Sequence, residues 1–363
     1  MRENMKSTTV SELSKNEQKV LYYLVRYPKL SDRDIYTQID MKQSTYSTIK
    51  KKLRREGYFY TAYVPVFQHL GCELLVVWYV TLNRKTKTED RLALTRDHLL
   101  NAAEVFTIVS ESNQAVLISV SKNIADHVKV SDRVVQLYEE NDFLEEIHYV
   151  LFPFEVSSIF SFFDFAPLLN RIFKLEPAGL RFGEFGFPDT MKCDIKKAVM
   201  TDLEKKVFMA LVRYPELSDS MLSEKIGCSR QVFTRMKTRF MDEKLLIKRS
   251  IVSLERLGFN ILAMTHSKFN PLEPLPVRLK CVRNISTFRT PIFNIARDPE
   301  SIMVTAFRDF EEFKMLHNEF VSFCSKNEIL RGEPQTILLS IPRIFEVKWL
   351  VFEPLVERVL KDL

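Results

Sequence analysis

The residues of this 363-residue chain best equipped for chemistry lie in two short polar segments. The first offers Gln43, Ser44, Ser47, Thr48, Lys50, Lys51 and Arg54, and the second Arg230, Gln231, Thr234, Arg235, Lys237 and Thr238. Arg, Gln, Ser and Thr carry the donors and acceptors that read base edges, while Lys and Arg neutralise phosphates. If each segment is one face of a helix, Gln43, Ser44, Thr48, Arg230, Gln231 and Arg235 are candidates for base contact in double-stranded DNA. Lys50, Lys51, Arg54 and Lys237 are candidates for phosphate contact. Motifs of catalysis are missing: HExxH, GxSxG, a P-loop and GxGxxG do not occur. No two of the histidines (His69, His98, His127, His148, His266, His317) lie 187 residues apart, and the cysteines (Cys72, Cys193, Cys228, Cys281, Cys324) form no CxxC. The expectation is therefore no catalytic residue, no metal, no cofactor and no enzyme.

The spacing of 187 matters because both segments belong to one repeated unit. Leu24-Val25-Arg26-Tyr27-Pro28-Lys29-Leu30-Ser31-Asp32 returns 187 residues later as Leu211-Val212-Arg213-Tyr214-Pro215-Glu216-Leu217-Ser218-Asp219. At that offset residues 13–71 lie on 200–258 without a gap, with 16 of 59 positions identical. Weaker matches follow in the same register, Val116-Leu117 on Met303-Val304 and Pro167-Leu168, Arg171 and Lys174 on Pro354-Leu355, Arg358 and Lys361. Net charge tracks the repeat: residues 13–71 carry +6 and 200–258 carry +4, and the rest sum to −4. Basic charge confined to these segments suits a polyanion, with a solvated helix face as the plainer alternative.

The elements that must position these residues are legible. Ser14-Lys-Asn-Glu17 and Thr201-Asp-Leu-Glu204 are capping boxes, each predicting a helix that ends before Pro28 or Pro215. Ser31 and Ser218 should start short second helices running to about Ile39 and Ile226, followed by turns at Asp40 and Gly227. In the third helices Tyr46, Ile49 and Leu53, and likewise Phe233, Met236 and Phe240, pack inward and leave the polar face free. Ser229 can cap its helix; Lys42 cannot, so that helix is expected to start at Ser44.

After Gly71 the pattern reads as strand (Glu73–Leu82), helix (Glu89–Leu100), two strands (Val105–Ser110, Ala115–Ser121), helix (Ile124–Asn141) and strand (Leu144–Phe152). This βαββαβ order predicts a ferredoxin-like domain with one sheet face left to be covered. The second copy is expected to place strands near Ile261–Phe269, Thr287–Ile295, Ile302–Phe307 and Pro334–Ser340. Helices Phe165–Leu175 and Phe352–Leu363 close the units, and the stripe Phe152, Phe154, Phe160, Phe162, Phe163, Phe165 reads as core or as an interface between copies.

A capped three-helix unit, the EGYFYTAY segment at 56–63 and a Leu-Gly at 70–71 and 257–258 leading into βαββαβ resemble the Lrp/AsnC family of transcription regulators, present twice. The resemblance implies an α+β fold of two tandem repeats, each a winged helix-turn-helix followed by a ferredoxin-like (RAM-like) domain. The expected divisions are a tail at 1–12, winged helices at 13–71 and 200–258, α/β domains at 72–175 and 259–363, and a linker at 176–199. It further implies a bacterial or archaeal DNA-binding regulator acting as an intramolecular pseudo-dimer, with a small-molecule effector and further oligomerisation left open. The family's effector turn carries Gly and Asp, where this chain has Ser110-Glu-Ser-Asn-Gln114 and Arg297-Asp-Pro-Glu-Ser301. Proteins similar to this family include siroheme decarboxylases, two-unit enzymes that use histidines and basic residues around a tetrapyrrole, and this is the alternative reading. A protein-interaction scaffold with vestigial DNA-binding units is a third. The longest apolar run, Leu74 to Leu82, is too short for a membrane span, no secretory signal opens the chain, and a cytoplasmic location is expected.

Overall fold

The computed structural model describes residues 13–99, 102–176 and 197–363; the tail 1–12 and nearly all of the linker 176–199 lie outside the described residues. Each half opens with three helices: α1 (Lys15–Arg26), α2 (Asp32–Gln38) and α3 (Gln43–Arg55), then α7 (Asp202–Arg213), α8 (Asp219–Ile226) and α9 (Arg230–Asp242). Ser14 Oγ accepts from the Glu17 amide while Glu17 accepts from the Ser14 amide at 2.8 Å, and Thr201 and Glu204 do the same. The capping glutamates have a second task. Glu17 pairs with Lys52 at 2.6 Å and Glu204 with Arg239 at 2.5 Å, so the first turn of each opening helix is tied to the third helix of its own half. The helix α3 starts at Gln43, one residue earlier than expected, with Lys42 as an N-cap that makes no side-chain hydrogen bond.

Beyond the third helices, β1 (Phe59–Pro65) and β7 (Leu246–Val252) pair with each other, antiparallel, with Phe59 opposite Val252. Next come β2 (Leu74–Leu82), α4 (Thr88–Leu99), β3 (Val105–Glu111), β4 (Gln114–Ser121), α5 (Ile124–Glu140) and β5 (Leu144–Pro153), followed by β6 (Ser158–Phe162) and α6 (Ala166–Phe173). The second half runs β8 (Ile261–Lys268), α10 (Leu275–Arg289), β9 (Phe293–Arg297), β10 (Glu300–Phe307), α11 (Phe310–Lys326), β11 (Gln335–Ser340), β12 (Phe345–Lys348) and α12 (Glu353–Lys361). The strand expected at Thr287–Ile295 is thus corrected: α10 continues to Arg289, and the strand begins only at Phe293.

Two five-stranded sheets result, β12-β3-β4-β2-β5 and β11-β8-β10-β9-β6. In each, the fifth strand comes from the other half. The strand β12 adds to β3 with Phe345 opposite Ser110, and β6 adds to β9 with Ser158 opposite Ala296. The pairing also corrects the repeat register. The strand β2 matches β8 at 187, since Thr81 faces Gln114 as Lys268 faces Glu300; β4 therefore matches β10 at 186, and Val116 corresponds to Ile302.

Along β2, side chains alternate between two cores. Leu75, Val77 and Tyr79 join a cluster that spans both halves, while Leu74, Val76, Trp78 and Val80 pack in a separate cluster with Val130 and Val134 of α5. The aromatic stripe enters the shared core, where Phe67 touches Phe106, Phe154, Phe162 and Phe352 at centroid distances of 5.7, 6.5, 6.0 and 5.9 Å.

Strand exchange also buries a lysine. Lys348 of β12 lies 3% exposed and donates to the carbonyls of Ala102 at 2.9 Å and Val105 at 3.0 Å. Burial pushes its ammonium down to about 8 from an ordinary 10.5. Above about 8 the folded state has shed a proton that the unfolded chain still holds, so stability rises with pH between the two values. Relative to Lys348→Met, the chain should gain on the order of 2–3 kcal/mol of unfolding free energy across that window. Urea titrations of both proteins at pH 7.5 and about 10.5 check this; parallel pH profiles would refute it.

Candidate functional site

The exposed polar faces of α3 and α9 hold the residues expected to meet DNA. Gln43, Ser44 and Thr48 lie exposed on α3, and Arg230, Gln231 and Arg235 on α9. Thr48 donates its hydroxyl to the Ser44 carbonyl at 2.9 Å, which leaves it only an acceptor. The cations are differently placed. Lys51 is exposed, but Lys50 pairs with Asp32 at 2.6 Å and Lys237 with Asp219 at 2.7 Å, the same α2-to-α3 brace in both halves. Arg54 pairs with Glu216 of the other half at 2.9 Å and lies over the Phe59 ring, and Lys29 donates to the Met241 carbonyl at 3.2 Å. The C-terminal end of each third helix is therefore packed against the helix-turn of the other half.

A second constellation, which sequence reasoning missed, lies where the two sheets face each other. Tyr79 of β2 and His266 of β8 occupy equivalent positions in the repeat, and Tyr79 Oη lies 3.0 Å from His266 Nδ1. Their cross-strand neighbours, His148 on β5 and Gln335 on β11, are equivalent too. The Tyr79 hydroxyl donates to Gln335 Oε1 at 2.9 Å, and the His148 ring stacks on that of Tyr79 with centroids 4.7 Å apart. On its far side His266 Nε2 meets Glu300 at 2.8 Å, and Glu300 meets Arg297 at 2.5 Å.

With the Tyr79 hydroxyl donating to Gln335, its oxygen is left to accept on the side of His266 Nδ1. The hydrogen bond from His266, helped by the charge of Arg297, holds the Glu300 carboxyl below its usual range in spite of burial. Burial pushes the Tyr79 phenol up to about 12, with the nearby Glu300 and Glu146 adding to it, so it stays protonated at neutral pH. Chemically this is a relay from Glu300 through His266 and Tyr79 toward Gln335 and the half-exposed His148 at the rim.

An opening also lies in the first half between α4 and α5, a cavity of about 370 Å³ lined by Asp97, His98, Glu104, Arg133 and Glu140 among others. Glu104 in it pairs with Arg358 of the second half.

No family model matches the chain, and no curated protein matches it in sequence. Solved structures do. Siroheme decarboxylase NirDL matches with a TM-score of 0.54 and 11% identity, over 96% of this chain and 99% of that one. The same enzyme in co-complex with an iron-uroporphyrin III analogue matches with a TM-score of 0.53 over the same shares. The fold that spans this chain is one that an enzyme uses. That finding overturns the expectation that the chain is no enzyme, which rested on the absence of catalytic motifs and of histidines matched between the copies. Shorter matches cover 39% of the chain: a transcriptional regulator of Neisseria meningitidis in complex with L-Met, 13% identical over 90% of its length with a TM-score of 0.33, and E. coli AsnC, 12% identical over 93% with a TM-score of 0.31. Among the described residues no helix is long and apolar enough to cross a membrane.

Proposed function

We propose that the chain is a fused two-unit enzyme that decarboxylates a carboxylated tetrapyrrole, each unit a winged helix-turn-helix followed by a ferredoxin-like domain. The units divide at 13–71 and 72–175, and at 200–258 and 259–363, with an exchanged strand tying each to the other. The observation that carries the reading is the Glu300–His266–Tyr79 relay at the junction of the halves. Decarboxylation breaks a C–C bond, releases carbon dioxide and leaves an electron pair on carbon. That carbon needs a proton. Tyr79 supplies it in place of its bond to Gln335, and His266, placed between the Tyr79 oxygen and the Glu300 carboxylate, returns a proton to the phenol oxygen. The full-length likeness in fold to siroheme decarboxylase supports this substrate class. Adding siroheme to the purified protein should shift its absorption spectrum saturably; a spectrum equal to the sum of its parts at every ratio would count against the reading.

Duplex DNA binding is a second reading, favoured by the exposure of Gln43, Ser44, Thr48, Arg230, Gln231 and Arg235 on two helices of one body. Because Lys50, Arg54 and Lys237 are engaged within the protein, the exposed Lys51, Arg230 and Arg235 are left to carry most of the phosphate and base contact. A gel shift at low salt should show binding that Lys51→Glu with Arg235→Glu weakens by about 10-fold or more, together with a salt slope shallower by roughly two. Unchanged binding by the double variant would remove these helices from the interface.

A further inference from the structure

We infer that the interior of the second half, between α10, α11 and the sheet, is a binding site for a carboxylate carried on an apolar body, with Arg289 as its anchor. Arg289 is fully buried at the end of α10, and its Nε, Nη1 and Nη2 have no hydrogen-bond partner. Its guanidinium lies 4.9 Å from the Phe320 ring centroid and 5.7 Å from that of Phe307. Two aromatic faces offset only part of what a buried cation loses on leaving water. Burial lowers its pKa to about 10, which still leaves it charged at neutral pH.

The surroundings are polar atoms awaiting a partner. Thr290 Oγ1, Thr305 Oγ1 and His317 Nδ1 are buried without one. The charge of Arg289, added to burial, lowers the His317 pKa, which places the two in one electrostatic neighbourhood. The first half shows what is different here. Thr305 corresponds to Ser119 by strand register, and Ser119 Oγ accepts from Trp78 Nε1 at 2.9 Å. Thr265 stands at the position of Trp78, so the Thr305 hydroxyl loses that donor. In the first half α4 and α5 stand apart around the 370 Å³ cavity; a ligand reaches Arg289 by parting α10 from α11 in the same way.

Arg171 lies over the same Phe307 ring at 5.8 Å but is paired with Glu312, so Arg289 is the guanidinium left without a counter-charge among the described residues; that matches a monoanion, since a phosphate dianion would keep one charge unpaired among Phe307, Phe313 and Phe320. The hydroxyls of Thr290 and Thr305 supply further donors to a carboxylate, and the rings pack against its apolar part. This site is separate from the Tyr79–His266 relay and does not depend on it.

Thermal unfolding of the full chain with benzoate or inorganic phosphate tests the proposal. Benzoate should raise the melting temperature of the unmodified protein in proportion to the logarithm of its concentration, and phosphate should not. Arg289→Met should melt higher than the unmodified protein without ligand and show no benzoate shift. Thr305→Val keeps the shape of the site and should weaken benzoate by several-fold, which keeps the test open if Arg289→Met fails to fold. Absence of any benzoate shift, an equal shift with phosphate, or a shift undiminished in Thr305→Val or Arg289→Met would overturn the inference.

Discussion

Tyr79→Phe should lower the rate of decarboxylation by at least about 100-fold, the lower end of what a positioned acid contributes. The change removes one oxygen and with it the bonds to His266 Nδ1 and Gln335 Oε1, while the ring keeps its place in the shared core. Macrocycle affinity, read from the absorption titration, should change by less than about 3-fold, because the lost group acts on the reacting carbon and not in holding the substrate. His266→Gln should show the same split, since it interrupts proton return and leaves Glu300 with a weaker partner. Equal losses of affinity and rate would assign these residues to binding. A rate undiminished in Tyr79→Phe would take the relay out of the reaction.

Phe67→Ala should destabilise the protein by about 3–5 kcal/mol, the usual cost of emptying a fully buried phenylalanine site. The side chain is 0% exposed and meets aromatic rings from both halves, Phe106 and Phe154 of the first and Phe352 of the second. The vacancy cannot collapse cheaply, because its walls are rings fixed by two sheets and two exchanged strands. Calorimetry should show one transition shifted down by roughly 4–7 °C, with the halves melting together. Ile124→Ala, at a site 60% exposed, should leave the melting temperature within a degree or two of the unmodified protein's. Two transitions, only one of them moved by Phe67→Ala, would show that the halves do not share a core.

The local parts of this fold were legible because their causes are local. A capping box needs four consecutive residues, and both Ser14–Glu17 and Thr201–Glu204 form the predicted bonds. Asp40 and Gly227 adopt the left-handed backbone expected of their turns. Strand exchange was not legible, since the pairing of Phe345 with Ser110 joins residues more than 200 positions apart and leaves no periodic trace. The extra residue between β2 and β4, relative to β8 and β10, was hidden because apolar β-branched runs match each other at either offset. The strand expected at Thr287–Ile295 took in the end of α10, which runs to Arg289 before the strand begins at Phe293.

The relay was within reach of the sequence. Tyr79 and His266 are polar-tipped residues in the strand segments Leu74–Leu82 and Ile261–Lys268, and the 187-residue offset places one on the other. The same offset places His148 on Gln335. Seeking identical residues at the two positions concealed a site in which the two halves contribute different groups to one junction. The polar face of α3 and α9 was found because it depends only on helical period, while the ion pairs that occupy Lys50, Arg54 and Lys237 depend on Asp32, Glu216 and Asp219 from other elements.

The most direct test of the enzymatic reading is mass spectrometry of the tetrapyrrole after incubating siroheme, without oxygen, with the purified full chain and with its His266→Gln variant. The reading predicts products lighter by one or more molecules of carbon dioxide with the unmodified protein, formed at least about 100-fold more slowly with the variant. Siroheme recovered unchanged, from a protein that binds it, would contradict the assignment.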